Sequence, residues 1–181
     1  MAIIRRNIRE YGFEQDLDPD VIDTPTKIIE SARLKGLKVL PLDIVGVAEL
    51  LNIKIMLKPF EDDVSGMLVK NDDGTWTIFV NSLHHPNRQR YTIAHEIGHY
   101  CLHKLLKDKF EDMIFFRGTE TNKEEYQANS FASELLMPEN EFKRLLKEGV
   151  NHIEDLADRF EVSTLALRLR AKSLGMTGHG L

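Results

Sequence analysis

The sequence contains a single cysteine, Cys101, so no disulfide can form within its 181 residues. A chain without disulfides is typical of a reducing compartment, and we expect this thiol to be buried and inert. Long apolar runs are also missing, and charges recur every few positions through the first twenty residues. A membrane helix needs about 20 apolar residues and a secretory signal needs an unbroken apolar stretch. We therefore expect a cytoplasmic protein that does not enter a membrane.

An excess of positive charge is absent as well. The 24 Lys and Arg residues are outnumbered by 29 Asp and Glu residues, which gives a formal net charge of −5 at pH 7. Such a chain has no general cationic field for a phosphate backbone, so the composition disfavours non-specific nucleic-acid binding. The hydrophobic share of 42% is enough to close a compact core.

Hydrophobic periodicity predicts an α+β fold. Apolar residues recur at helical spacing in two early segments, residues 24–36 and 41–51. Alternating patterns then predict strands over 53–57, 66–70 and 75–80. Because Asn71 to Gly74 is a strong hairpin turn, we expect a small, mainly antiparallel sheet.

Helical patterns return after the sheet. They predict a helix over 88–106, another over 122–137 that ends before Pro138, and two or three shorter helices over 139–175. We divide the chain into three parts: a loosely ordered lead-in (1–23), a main domain (24–138) and a C-terminal helical segment (139–181).

The most informative motif is His95-Glu96-Ile97-Gly98-His99. On a helix the two histidines lie one turn apart on the same face, so both imidazoles can reach one Zn²⁺. Glu96 is turned away by about a quarter turn, where its carboxylate can act as general base on a zinc-bound water. The motif predicts one catalytic zinc, although this donor set also suits other divalent ions.

A third protein ligand must come from elsewhere in the chain. His103 lies two turns, about 12 Å of rise, from His95, so a straight helix cannot bring both to one ion. We expect His103 to have a structural or substrate-side role. The next helix is the better source, but its phase brings both Glu124 and Glu125 near the buried face and does not choose between them.

Two sequence blocks together resemble the ImmA/IrrE family of metallopeptidases. The blocks are RxRYTIAHEIGHYCLH over 88–103 and EYQANSFASELLMP over 125–138. The resemblance implies a zincin-like fold and a gluzincin-like activity, and it assigns the third zinc ligand to Glu125, three residues before the Ala128-Asn129 pair. It also implies a protein substrate, a helix-turn-helix repressor of a mobile element or stress-response operon, with a toxin-like or sequestering partner of such a regulator as the alternative.

Two further expectations concern how substrate is handled. We expect the 75–81 strand to be an exposed sheet edge that pairs with substrate backbone, the alternative being a paired inner strand. Arg88, Arg90, Tyr91 and His103 are near the motif in sequence, but none is identifiable as the donor to the developing oxyanion, and structural pairing of the arginines is equally compatible.

Residues 153–174 have the spacing of a helix-turn-helix, with Glu161 where a glycine is customary in the turn. Arg168, Arg170 and Lys172 give its second helix a basic character, which raises the alternative of a DNA-associated regulator. Acidic residues crowd the first helix, however, so we favour packing against the protease core or docking of the regulator.

Overall fold

The structure is a computed structural model that describes residues 22–61, 64–113 and 123–176. The predicted lead-in therefore lies outside the described residues, except for its last two positions. In chain order the described elements are α1 (Pro25–Leu34), α2 (Ile44–Leu50), β1 (Ile53–Lys58), β2 (Val64–Lys70), β3 (Trp76–Asn81), α3 (Pro86–His103), β4 (Lys109–Met113), α4 (Lys123–Leu136), α5 (Glu139–Lys147), α6 (Ile153–Phe160) and α7 (Thr164–Ser173). The α+β class is confirmed.

The helix boundaries follow local capping chemistry. The Thr24 side chain accepts a hydrogen bond from the Lys27 amide, and Pro25 takes the first helical position of α1. Asp43 caps α2 in the same way through the Gly46 amide. No helix in the described part of the chain is both long and apolar enough to cross a membrane.

The four described strands form one mixed sheet in the order β1-β3-β2-β4. The predicted hairpin is present, since β2 and β3 pair antiparallel with Leu68 opposite Ile78. Strand β1 pairs parallel with the other side of β3, with Ile55 opposite Ile78. Strand β4 pairs antiparallel with β2 and forms the opposite edge.

The expectation that the 75–81 strand is an exposed edge is wrong. Strand β3 is an inner strand with neighbours on both sides, and its hydrogen-bonding groups serve β1 and β2. Even Thr77, on the less apolar side of the strand, is 3% exposed. The edges of the described sheet are β1 and β4, so substrate backbone cannot pair with β3.

One continuous core joins the helices to the sheet. It runs from α1 and α2 through the inner strands and α3 to the C-terminal helices, where Phe142 of α5 stacks on Phe160 of α6 with ring centroids 5.7 Å apart. The proposed division of the chain at 138/139 stays a prediction.

The predicted helix-turn-helix spacing corresponds to α6 and α7. Glu161, between them, adopts a left-handed conformation with φ of 52°, which explains why glycine is usual at such a turn. Helix α3 holds this turn in place: Asn87 donates to the Val162 carbonyl, and Arg90 donates to the Glu161 carbonyl.

Candidate metal centre

Two buried histidines of α3 form one half of the candidate site. His95 and His99 lie one helical turn apart and are 2% and 1% exposed. Their Nε2 atoms approach to 3.0 Å, with the rings nearly perpendicular. Both nitrogens therefore point to a common position beside the helix, as the sequence spacing predicts.

Helix α4 supplies a carboxylate at the same position. Glu125 Oε2 lies 3.2 Å from His95 Nε2, and Glu125 Oε1 lies 3.3 Å from His99 Nε2. Glu124, which the helical phase left as an equal alternative, instead forms an ion pair with Lys107 at 2.6 Å. The structure thus brings Glu125 to the two histidines and directs the Glu124 carboxylate to the lysine.

The spacing of these atoms suits a small tetrahedral cation. Ligands about 2.0–2.1 Å from a tetrahedral ion are about 3.3 Å from one another. The three closest separations among the Nε2 and carboxylate atoms are 3.0, 3.2 and 3.3 Å. Among the described residues, this trio is the group of His, Cys, Asp and Glu side chains that could hold a metal ion.

Gly98 allows α4 to come this close to α3. A Cβ atom at Gly98 would lie 3.1 Å from both the Cα and the carbonyl oxygen of Ala128, and 3.2 Å from Phe131 Cβ. These distances are tighter than ordinary van der Waals contact, so a larger residue would press the two helices apart. Since Glu125 is three residues before Ala128, this close contact also determines how far the carboxylate reaches.

Glu96 lies on α3 between the two histidines and is fully buried. Strand β2 passes next to it at Gly66, where a Cβ atom would be 3.5 Å from Glu96 Oε1 and only 2.4 Å from Thr92 Cγ2. The absence of a side chain at Gly66 therefore lets β2 lie directly against Thr92, one helical turn before Glu96.

Each histidine of the trio contacts a further polar side chain through its other ring nitrogen. His95 Nδ1 is 3.2 Å from Asn129 Oδ1 of α4. His99 Nδ1 is 3.2 Å from Nδ1 of His103. His103 thus lies behind His99, away from the converging Nε2 atoms, and its structural or substrate-side role stays a prediction.

The electrostatics of the trio favour a charged Glu125 carboxylate and a neutral His99 imidazole. Burial is the largest influence on Glu125 and raises its pKa, but hydrogen bonds and charge from His95 and His99 together lower the pKa below its usual value. Burial lowers the pKa of His99, because it penalises the imidazolium. A neutral imidazole and an ionised carboxylate are the forms that bind a cation.

The sequence neighbours considered as oxyanion donors have other contacts. Arg90 donates to the Leu42 carbonyl and pairs with Glu161, so it joins α3 to other elements. Arg88 donates to Ser65 Oγ, and the Tyr91 hydroxyl donates to the Asn129 carbonyl.

Sequence reasoning assigned no role to several residues that shape the site. Gly98 and Gly66 permit close approach, Asn129 contacts His95, and Phe110 stacks on His99 with ring centroids 4.8 Å apart. Asn129 had a detectable signal, because it lies four residues after Glu125 on the same helical face. Phe110 had none, because β4 carries too few apolar residues to be recognised as a strand.

Comparison with known proteins agrees with this geometry. The family model described as the IrrE N-terminal-like domain, of the M78 peptidases, matches residues 48–172 and so includes both α3 and α4. The match spans more than half of the chain. The chain belongs to this IrrE-like family. The predicted resemblance to ImmA/IrrE metallopeptidases is confirmed.

The chain is also similar to one curated protein. Metallopeptidase ImmA of Bacillus subtilis (strain 168) is 29% identical to this chain over 113 residues. The alignment covers 60% of this chain and 63% of the relative, so the chain spans less than two thirds of that relative's length.

Proposed function

We propose that this chain is a zinc-dependent endopeptidase in which His95, His99 and Glu125 hold one Zn²⁺ and Glu96 is the general base. The observation that carries the proposal is the convergence of the His95 and His99 Nε2 atoms of α3 and the Glu125 carboxylate of α4, at closest separations of 3.0–3.3 Å. Two imidazoles and one carboxylate leave a fourth tetrahedral position open, which is the arrangement of catalytic rather than structural zinc. Membership of a peptidase family supports the same reaction.

The bound ion would polarise the scissile carbonyl and acidify water in the site. The residues of the chain then have separate tasks. Glu96 accepts a proton from the attacking water and delivers it to the nitrogen of the cleaved bond, so its carboxylate ends as it began. Its burial next to β2 keeps bulk water away from this transfer.

The Glu96→Gln variant tests the chemistry. The amide keeps the size of the side chain but cannot accept the proton, so we expect turnover to fall by about 10²–10⁴-fold. Zinc content, measured by elemental analysis after gel filtration, and the melting temperature should match those of the parent protein. Full cleavage activity in this variant would remove Glu96 from the mechanism.

We further propose that the substrate is a helix-turn-helix transcriptional repressor encoded by a neighbouring gene. The family resemblance supports this class of substrate. The direct test is to incubate the purified chain with that repressor, with and without a chelator, and to identify cleavage products by mass spectrometry. We expect defined fragments that disappear with chelator and return when zinc is restored.

Repeating this incubation with the Glu96→Gln variant separates cleavage from sequestration. A toxin-like or sequestering partner would form a stable complex with the intact repressor, and Glu96→Gln would then leave repressor inactivation unchanged. A peptidase loses repressor inactivation with this substitution while retaining repressor binding.

The structure gives the DNA-binding alternative less support than the sequence pattern does. Of the three basic residues of α7, Arg170 is half-buried and donates to the Met137 carbonyl. Arg168 and Lys172 remain exposed. A salt-dependent mobility shift on duplex DNA that disappears when Arg168 and Lys172 are reversed in charge would favour DNA binding.

A further inference from the structure

His103 is a third buried histidine that the proposed reaction does not use. It ends α3, is 4% exposed, and lies one turn after His99. Its two ring nitrogens both meet polar atoms: Nδ1 is 3.2 Å from His99 Nδ1, and Nε2 is 3.2 Å from Oε1 of Gln127. A continuous line of contacts thus runs from the trio through His103 to the surface of α4.

When His99 holds a cation, only one arrangement of ring protons gives each of these contacts one donor and one acceptor. His99 would hold the cation through the lone pair of Nε2, so its ring proton would have to be on Nδ1. That N–H can then donate only to a bare Nδ1 on His103, which places the proton of His103 on Nε2. The Nε2–H in turn donates to the amide oxygen of Gln127, which is an acceptor.

We propose that His103 and Gln127 are positioning residues, which form a relay that holds His99 in the tautomer and ring orientation needed to bind the metal. This inference rests on the proposed metal site. A histidine in a metal site commonly donates its second N–H to a carboxylate or a carbonyl. Here the His103 imidazole is the acceptor instead, and its orientation depends in turn on the Gln127 amide of α4.

The packing around His99 supports a role in orientation. The Phe110 ring of β4 stacks on His99 with an interplanar angle of 21°, and the His103 ring lies 5.3 Å away, centroid to centroid. The stacking restricts tilting of the His99 ring, but it does not distinguish its two nitrogens. The hydrogen bond from Nδ1 to His103 makes that distinction.

The test is zinc affinity, measured by competition with a chromophoric chelator on the full chain after metal removal. His103→Leu removes the acceptor, and we expect its affinity to fall by about 10–100-fold, the usual effect of losing such an outer partner. His103→Asn should recover most of that loss, because its Oδ1 takes approximately the position of Nδ1. Gln127→Leu should cause a smaller loss, whereas Tyr126→Leu, on the same turn of α4, should cause none.

Two further measurements separate positioning from folding. The visible spectrum of the Co²⁺-loaded protein should change in His103→Leu and return towards the parent spectrum in His103→Asn. Melting temperatures of the metal-free variants report any purely structural loss, which would appear without a change in zinc affinity.

The outcomes distinguish the relay from the proposed function. If the parent binds zinc and His103→Leu binds it equally well, or if His103→Asn is as weak as His103→Leu, the relay is overturned and the peptidase proposal is unaffected. If the parent protein binds no zinc, both proposals are overturned together.

Discussion

Helix α3 buries polar side chains among its apolar ones, whereas the α6–α7 pair does not. The buried face of α3 includes three histidines and Glu96, whereas the described buried residues of α6 and α7 are all apolar, as in Leu156, Phe160 and Leu167. Burying polar groups costs free energy unless they are partnered, so a helix that does so usually serves a site. This difference indicates that α3 contributes residues to a functional site, whereas α6 and α7 contribute mainly to core packing.

The largest expected effect on stability is in the apolar region. Phe160 is fully buried and stacks on Phe142, so Phe160→Ala should lower the free energy of unfolding by about 3–5 kcal/mol in urea titrations. Zinc affinity of the folded protein should not change, because α6 contributes no donor to the trio. Leu165→Ala, at a residue that is 63% exposed, is the control and should change stability by about 0.5 kcal/mol or less.

If Phe160→Ala does not fold, the milder Phe160→Leu serves the same purpose. A folded variant at this position with weakened zinc affinity would show that the two regions are energetically coupled, contrary to the comparison.

The next effect concerns the carboxylate that completes the trio. Glu125→Ala removes a proposed ligand. Zinc affinity should therefore fall by more than about 100-fold, which is the upper end of the range for residues that only contact a ligand. Glu124→Ala is the matched control, because Glu124 is adjacent in sequence but pairs with Lys107. Chelator competition measures both variants. Equal losses in the two would mean that general negative charge, rather than ligation, holds the cation.

Gly98→Ala tests the close approach of α3 and α4. The added methyl group would meet the Ala128 backbone at 3.1 Å, a strain of about 1–3 kcal/mol that is partly offset by the about 1 kcal/mol gain in helix propensity. We therefore expect a net loss of stability of up to about 2 kcal/mol and weaker zinc binding, because α4 carries Glu125 away from the histidines.

Gly46→Ala in α2 is the matched helical control. Its added methyl group would meet the side chains of Leu37 and of the capping Asp43 at 2.9–3.0 Å, and α2 holds no donor, so zinc binding should not change. Unaltered zinc binding in Gly98→Ala would show that the helix spacing tolerates the extra methyl group.

The smallest expected effect is at Cys101, two residues after His99 but on another face of α3. Burial raises the pKa of this thiol to about 12, and its Sγ contacts the Ile22 carbonyl. Because the thiolate is the reactive form, alkylation by iodoacetamide at pH 8 should be at least about tenfold slower than that of a free thiol. The rate should continue to rise with pH well beyond 8.5, and saturating zinc should leave it unchanged. Protection by zinc would place the thiol at the metal.

Predictions from the sequence succeeded where a pattern is local. The boundaries of α1 and α2 follow from Thr24, Pro25 and Asp43, whose capping acts over three residues. The β2–β3 hairpin follows from the turn at Asn71 to Gly74. They failed for β3 as an edge, because its parallel partner β1 is more than twenty residues earlier and no local pattern reports that pairing.

The sequence by itself determined that α3 is a helix with His95 and His99 on one face, because a helix has a fixed period of 3.6 residues. Helical phase could not choose between Glu124 and Glu125, since both lie near the buried face of one helix, and only resemblance to a known family pointed to Glu125. The tertiary structure decided which carboxylate lies beside the imidazoles: α4 packs on α3 where Gly98 has no side chain, and this contact brings Glu125 to His95 and His99. Contacts between distant segments depend on the packing of the whole core, which no short stretch of sequence contains.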